Sequence, residues 1–237
     1  MKSKILNPSL LSSQNKLDML ILMEKYYEGF SKEQFFQDLK TKQLIILLLK
    51  ETGKLAGFST IEIAENREPN GSKSLHLFSG DTVLEKEFWG NGALASAFGK
   101  VLVLTKLRNP FKEVYWFLMS KGYKTYLIMA NNFQIHYPRP DQPTPESIQA
   151  KLDSYYSNKF PDRYSKERGI ITSVDNSGHL KISVADIDLQ LLKNPKIHFF
   201  SLKNPKWQSG DELACIAIVT LWVPIRYAFK RILKWIK

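Results

Sequence analysis

The sequence contains little cysteine and little histidine. Cys215 is the one cysteine among 237 residues, which excludes an intramolecular disulfide framework and is typical of a reducing compartment. The four histidines lie far apart and form no cluster with metal-ligand spacing: His76, His136, His179 and His198. We therefore expect no metal cofactor.

Long apolar runs are missing as well. No stretch of about 18 apolar residues could form a membrane span, and the amino terminus lacks the apolar core of a secretory signal. There is no Ser-His-Asp order, P-loop or kinase motif. With 43% apolar and 12% aromatic residues, the chain has the composition of a folded globular protein. We expect a cytoplasmic protein, with peripheral attachment at the inner face of the membrane left open.

The net charge of +11 is unevenly distributed. The last twelve residues carry five Lys and Arg and no acid, which leaves +6 for the other 225 residues. Such basicity predicts an acidic partner: nucleic acid, anionic lipid, the phosphates of coenzyme A, or an acidic acyl carrier protein. Nucleic acid is the weaker prediction, because the cations cluster in one segment and no nucleic-acid motif is present.

Residues 225–237 have the pattern of a basic amphipathic helix. Five apolar residues share one stripe: Ile225, Phe229, Ile232, Leu233 and Ile236. Four cations form the adjacent stripe: Arg226, Lys230, Lys234 and Lys237. Two interpretations remain open, a helix lying on an anionic membrane surface and a terminal helix docked on its own domain with a solvated cationic face.

Residues 1–140 have the pattern of an α/β (α+β) core. The periodicity predicts helices at 13–29 and 32–40, a hairpin at 43–65, a strand at 74–84, a helix at 93–107, a short helix at 109–123 and a strand at 124–132. This order predicts a mixed, largely antiparallel sheet flanked by helices.

Four prolines between residues 138 and 145 suggest a boundary near residue 140. The remaining residues, 141–237, are predicted to form a C-terminal extension. It would contain a helix at 146–160, a hairpin at 169–184 turning around 175–178, and the basic terminal helix. The apolar run at 213–223 suits a core strand or part of a buried end.

The stretch "EFWGNG" (87–92) lies between the predicted strand and an alanine-rich helix. It resembles the Q/R-x-x-G-x-G/A acyl-CoA motif of the GCN5-related N-acetyltransferase (GNAT) superfamily, and the order of elements from residue 13 to 137 fits that fold. Glu87 departs from the motif, because the family has Arg or Gln there. Glycines let the backbone approach a pyrophosphate, and free N–H groups at a helix N-terminus attract the anion.

The resemblance implies roles for particular residues. Val83 and Leu84 would hydrogen-bond the pantetheine arm of the donor with their backbone groups. The pyrophosphate would bind to four consecutive residues: Gly90, Asn91, Gly92 and Ala93. Asn131 or Asn132 could also contact the donor arm.

Acyl transfer to an amine needs a base for the ammonium proton and an acid for the leaving thiolate. His76 on the strand before the glycine loop is the first candidate base, because imidazole titrates near neutrality. Asp81 and Glu62 follow as candidates. Tyr137 is the candidate acid by resemblance to the family. Each of these side chains also has a purely structural interpretation.

We therefore expect a GNAT-type N-acyltransferase that moves an acyl group to an amine. The donor would be acetyl-CoA, a longer acyl-CoA or an acyl carrier protein. The alternative is a non-catalytic GNAT-like module that binds a membrane surface or a protein partner.

Overall fold

The computed structural model describes residues 1–68, 71–175, 177–182 and 184–220. Eleven strands occur in these residues: β1 (Lys2–Leu6), β2 (Tyr27–Phe30), β3 (Leu44–Leu49), β4 (Leu55–Arg67), β5 (Lys73–Leu84), β6 (Glu113–Ser120), β7 (His136–Tyr137), β8 (Tyr164–Ser165), β9 (Ile170–Ile171), β10 (Ser177–Leu180) and β11 (Glu212–Ile218). Six α-helices accompany them: α1 (Ser13–Tyr26), α2 (Lys32–Thr41), α3 (Ala93–Arg108), α4 (Tyr123–Asn132), α5 (Glu146–Lys159) and α6 (Pro195–Lys203).

Nine of the described strands form one sheet in the order β1-β3-β4-β5-β6-β11-β9-β8, with β7 also pairing β11. All neighbours are antiparallel except β5 and β6, which are parallel. A second, two-stranded sheet joins β2 to β10. The predicted mixed, largely antiparallel sheet flanked by helices is confirmed.

Helices cover both faces of the large sheet. On one face, α3, α4 and α6 pack on Ile46, Leu48 and their neighbours. On the other face, α1 and α2 cover Ile45 and Leu47, and α5 covers the β5, β6 and β11 part. Because β3 is buried on both sides, its sequence LIILLL is apolar throughout and does not alternate.

The early helices begin where the sequence predicts. The Ser12 hydroxyl accepts a hydrogen bond from the Asn15 N–H at 3.0 Å, and the Ser31 hydroxyl accepts one from the Gln34 N–H at 3.2 Å. Helix α1 ends at Tyr26, three residues before the predicted end at Gly29, because the chain continues as β2 and pairs with β10.

Two neighbouring elements are exchanged relative to the prediction. The segment predicted as a short helix at 109–123 contains strand β6, and the segment predicted as a strand at 124–132 forms helix α4. Gly122 is therefore an N-cap and not a helix end. Both segments are short and apolar, so periodicity does not separate them. The aromatic and branched run Val114–Leu118 suits a central strand buried on both faces.

The predicted hairpin at 169–184 is wrong. Strand β9 pairs with β8 and β11 in the large sheet, whereas β10 pairs with β2 in the small one. Sheet pairing also crosses the predicted boundary near residue 140, because β11 lies between β6 and β9. The helix predicted at 225–237 lies outside the described residues. None of the described helices has the length and apolar content that a bilayer crossing requires.

Candidate active site

The parallel strands β5 and β6 separate at their carboxyl ends. Their pairing runs from Ser74 opposite Glu113 to Ser79 opposite Leu118. Beyond Ser79, β5 continues to Leu84 beside β4 alone. Carboxyl ends of parallel strands that separate in this way leave a crevice, which is a common place for a ligand in α/β sheets.

A β-bulge lies at this point on β5. Ser59 pairs with Thr82 and Ile61 with Ser79, so Gly80 and Asp81 together oppose one residue, Thr60. A Cβ on Gly80 would come within 2.6 Å of the Thr60 hydroxyl oxygen, so a larger residue there would clash with the Thr60 side chain. The bulge thus favours glycine at position 80, and it includes Asp81, the one acidic side chain of β5.

An apolar cavity of about 530 Å³ opens on one side of the crevice. Its walls include Val83 and Leu84 at the end of β5, the loop Trp89–Gly92, and residues of α3 and α4. Gly90 and Gly92 have φ angles of +78° and +75°, which favour glycine. No heavy atom of the described residues lies within 4 Å of where their Cβ atoms would be, so these residues leave open space in front of the loop.

The start of α3 has N–H groups available for a ligand. The Asn91 side-chain oxygen accepts a hydrogen bond from the Ala93 N–H at 2.9 Å. The N–H groups of Leu94 and Ala95 donate to no acceptor among the described residues. Of the predicted donor-binding residues, Val83, Leu84, Gly90, Asn91 and Gly92 line the cavity, as do Asn131 and Asn132. The Ala93 N–H is already used by Asn91.

Trp89 and Lys124 pack against each other in the wall of the apolar cavity. The Trp89 indole N–H donates to the Leu84 carbonyl at 2.8 Å, and the Lys124 ammonium lies 3.3 Å from the centroid of the Trp89 ring. Lys124 also donates to the Val184 carbonyl at 2.5 Å. Burial, followed by repulsion from Lys86, lowers the pKa of Lys124 to about 8. Sequence reasoning missed Lys124, because the prediction placed it on a strand.

A charged cavity of about 450 Å³ opens on the other side of the crevice. Eight charged side chains line it: Asp38, Lys42, Glu62, Asp81, Lys121, Lys159, Arg163 and Glu212. Glu62 lies 3.5 Å from Lys42 and 2.9 Å from Lys159. Glu212 lies 3.7 Å from Lys121 and 4.0 Å from Arg163. Both carboxylates are thus neutralised by cations.

Asp81 differs from these paired carboxylates. No hydrogen bond or ion pair reaches its side chain from the described residues, and burial raises its pKa against the lowering effect of nearby Lys121. A carboxylate with a raised pKa in a cleft is suited to accepting a proton. Asp81 followed His76 among the candidate bases, and it is the one of the two that lines the crevice.

Three residues line both cavities: Tyr27, Thr82 and Thr125. The cavities therefore meet between the ends of β5 and β6. Burial, together with the charges of Asp81 and Glu212, raises the pKa of Tyr27 well above its ordinary value, so its phenol stays protonated. Sequence reasoning missed Tyr27, because the predicted helix at 13–29 included it; its place depends on β2 pairing with a distant strand.

The structure does not bring His76 to the crevice. Its side chain is 13% exposed and lies 3.6 Å from the Glu68 carboxylate, with ring centroids 4.9 Å from Phe117 and 5.6 Å from Tyr155. His76 lines neither cavity. Burial lowers its pKa even though Glu68 opposes that shift. His76 thus sits in a half-buried polar cluster beneath α5.

Tyr137 also lies away from the crevice. It pairs with Ile216 as part of β7, is buried, and accepts a hydrogen bond from the Gln142 amide at 2.9 Å. It lines neither cavity. Its packing against the α5 side of the sheet explains its position, since β7 is held there by β11.

Glu87 points away from the apolar cavity. Its carboxylate forms an ion pair with Lys50 of the β3–β4 turn, and the side chain is 57% exposed. It does not line the cavity, whereas its neighbours Phe88 and Trp89 do. Glu87, which replaces the Arg or Gln of the motif, is therefore neutralised by Lys50 outside the glycine loop.

Two further findings bear on the chemistry. Within the described ranges, no three His, Cys, Asp or Glu side chains group as metal ligands. Cys215 is a buried free thiol on β11, and burial raises its pKa. A thiol of this kind is not a nucleophile.

No protein-family model and no curated protein matches the chain. Among solved structures it is similar to a GNAT family N-acetyltransferase from Escherichia coli in complex with CoA, with 11% identity over 57% of this chain and 70% of that chain and a TM-score of 0.41. It is similar to the ribosomal-protein-S18-alanine N-acetyltransferase from Escherichia coli, with 12% identity over 61% and 86% and a TM-score of 0.39.

A third similar structure is the glucosamine-6-phosphate N-acetyltransferase from Arabidopsis thaliana, with 19% identity over 49% of this chain and 82% of that chain and a TM-score of 0.35. All three are N-acetyltransferases, the class indicated by the sequence resemblance. Because the TM-scores lie below 0.5, we infer function from the chain's own site.

Proposed function

We propose that the protein is an N-acyltransferase of the GNAT type, which transfers an acyl group from a thioester donor to an amine. The observation that carries this proposal is the meeting of two unlike cavities between the separated ends of β5 and β6. One cavity is apolar and begins at a helix N-terminus with free N–H groups. The other is charged and contains a carboxylate with a raised pKa.

The apolar cavity suits the donor. Coenzyme A combines a flexible pantetheine arm with anionic phosphates. The arm would lie against Val83 and Leu84 and the facing wall of α4, with the phosphates at Gly90, Asn91 and Gly92 and the N–H groups of Leu94 and Ala95. A pantetheine-bearing acyl carrier protein offers the same chemistry, and the chain's net charge of +11 suits an acidic carrier.

The charged cavity suits the acceptor amine. Asp81 would take the proton from the amine nitrogen as that nitrogen bonds to the thioester carbonyl carbon. The carbon–sulfur bond then breaks, and the leaving thiolate receives a proton from the Tyr27 phenol, which regains a proton through solvent as Asp81 releases the one it took from the amine. Asp81 lines the charged cavity and Tyr27 lines both cavities, so in this proposal proton removal and proton delivery are assigned to two different side chains of the crevice.

Calorimetric titration with acetyl-CoA and with a longer acyl-CoA tests the donor. We expect one molecule bound per chain, and a set of primary amines should then release free thiol, measured with a chromogenic disulfide. Absence of binding by either thioester in a folded sample would contradict the CoA-dependent reaction. Binding without thiol release for any amine would favour the non-catalytic alternative, a GNAT-like module that holds an acyl donor.

A further inference from the structure

An apolar stripe lies on the outer face of α3 and the turn that follows it. Leu104 and Leu107 are 40% and 54% exposed, and Phe111 in the turn is 100% exposed. The opposite side of α3 packs on the sheet through residues such as Phe98 and Val101. Single exposed apolar residues are common on soluble proteins, whereas a group of three on one surface is typical of an interaction site.

The surroundings of this α3 stripe are cationic. The 25 residues from 88 to 112 contain four Lys and Arg and no Asp or Glu. Two of these cations are already engaged, because Lys106 is buried and donates to backbone carbonyls and Lys112 pairs with Glu65. Lys100, one turn before Leu104, and Arg108, next to Leu107, are exposed and form no ion pair with the described residues. Apolar side chains flanked by unpaired cations complement a surface that is apolar inside and anionic outside.

The position of the α3 stripe adds a second cationic element. The Val219 N–H donates to the Val114 carbonyl at 2.9 Å, so the chain passes the turn containing Phe111 immediately before residues 221–237. That terminal segment carries five Lys and Arg and no acid. This basic stretch of the sequence therefore follows directly on residues that lie beside Val114, three residues after Phe111.

We propose that the α3 stripe, formed by Leu104, Leu107 and Phe111 with Lys100 and Arg108, is a docking face for an anionic lipid surface. Phe111 enters the boundary between headgroups and acyl chains, and the two cations contact lipid phosphates. This face is separate from residues 225–237 and does not depend on the proposed acyl transfer.

Co-sedimentation of the full chain with vesicles tests the docking face. The vesicles contain phosphatidylcholine alone or mixed with phosphatidylglycerol. We expect binding to the anionic vesicles, about a 10-fold loss of partitioning for Leu107→Ser with Phe111→Ser, and a similar loss for Lys100→Glu with Arg108→Glu. All four positions are exposed, so thermal melting should confirm an unchanged fold.

Two single-residue variants of the same substitution types serve as controls. Leu189→Ser removes an 82%-exposed leucine that follows Asp188, and Lys40→Glu reverses an exposed cation on α2, on the opposite face of the sheet. Both should bind vesicles as the unmodified chain does.

The proposal is overturned if the full chain does not bind anionic vesicles, or if the stripe variants bind as well as the controls. It is also overturned if light scattering shows a dimer that Leu107→Ser with Phe111→Ser converts to monomer without any change in vesicle binding. In that case the stripe would join two copies of the chain.

Discussion

The two cavities of the crevice are built in different ways. The apolar cavity draws mostly on two continuous stretches, the end of β5 through the start of α3 and the length of α4. The charged cavity gathers side chains from α2, β4, β5, β11 and the region around α5. A binding surface for a flexible arm can thus be encoded locally, whereas the arrangement of acids and bases depends on the complete tertiary fold.

Asp81→Asn should have the largest effect and should act on the charged side alone. Loss of a positioned base lowers turnover by about 10² to 10⁴, while donor affinity is unchanged. In the unmodified enzyme the rate should rise with pH through the raised pKa of Asp81, because the ionised carboxylate accepts the proton. That limb of the pH profile should disappear in Asp81→Asn, as measured by thiol release and calorimetry.

His76→Gln is the matched control, because His76 lies outside the crevice. Its turnover and pH profile should equal those of the unmodified enzyme. If the rate is unaffected by Asp81→Asn but reduced by His76→Gln, then His76 and not Asp81 is the general base.

Gly92→Ala should have an intermediate effect, confined to the apolar side. Alanine at a φ of +75° costs about 1–2 kcal/mol of stability. The displaced loop should raise the donor Kd about 10-fold, which corresponds to about 1.4 kcal/mol. Gly53→Ala controls for strain, since Gly53 has a φ of +82° in the β3–β4 turn and a Cβ there would meet no atom of the described residues within 4 Å.

The two glycine variants should lose similar stability in thermal melts, and Gly53→Ala should retain donor affinity. Equal donor affinity in both variants would contradict a donor site at this loop.

Glu87→Gln should have the smallest effect. Because the Glu87 carboxylate is exposed and paired with Lys50, its removal should change stability by less than about 0.5 kcal/mol and donor Kd by less than about twofold. Donor binding that becomes tighter by an order of magnitude would contradict this expectation. It would show that the Glu87 carboxylate repels the donor despite its ion pair with Lys50.

The local features of the fold were predictable from sequence. The caps at Ser12 and Ser31, the β3–β4 hairpin and the strand–glycine loop–helix order all depend on neighbours within a few residues. The exchange of helix and strand between 109 and 132 has a different origin. Strand β6 is buried on both faces by distant helices, so its pattern carries no strand periodicity.

The chemical residues of the site were harder to predict than its loop. His76 and Asp81 lie on the same strand. The bulge opposite Thr60 lies between His76 and Thr82 and shifts the alternation of side chains along the strand by one residue. A bulge depends on pairing with another strand, so period-two alternation along β5 gives no information about it. Tyr27 likewise reaches the crevice through the pairing of β2 with β10, about 150 residues apart in sequence.

The place of β11 in the sheet has a consequence for biosynthesis. Residues 212–218 fill the gap between β6 and β9, so β6 keeps one unpaired edge until they have been synthesised. At about 5–20 residues per second, the roughly 90 residues between β6 and β11 take several seconds to emerge from the ribosome. During that interval the apolar strand Glu113–Ser120 is a candidate for chaperone binding, and a nascent chain arrested before β11 would be prone to aggregate through that edge.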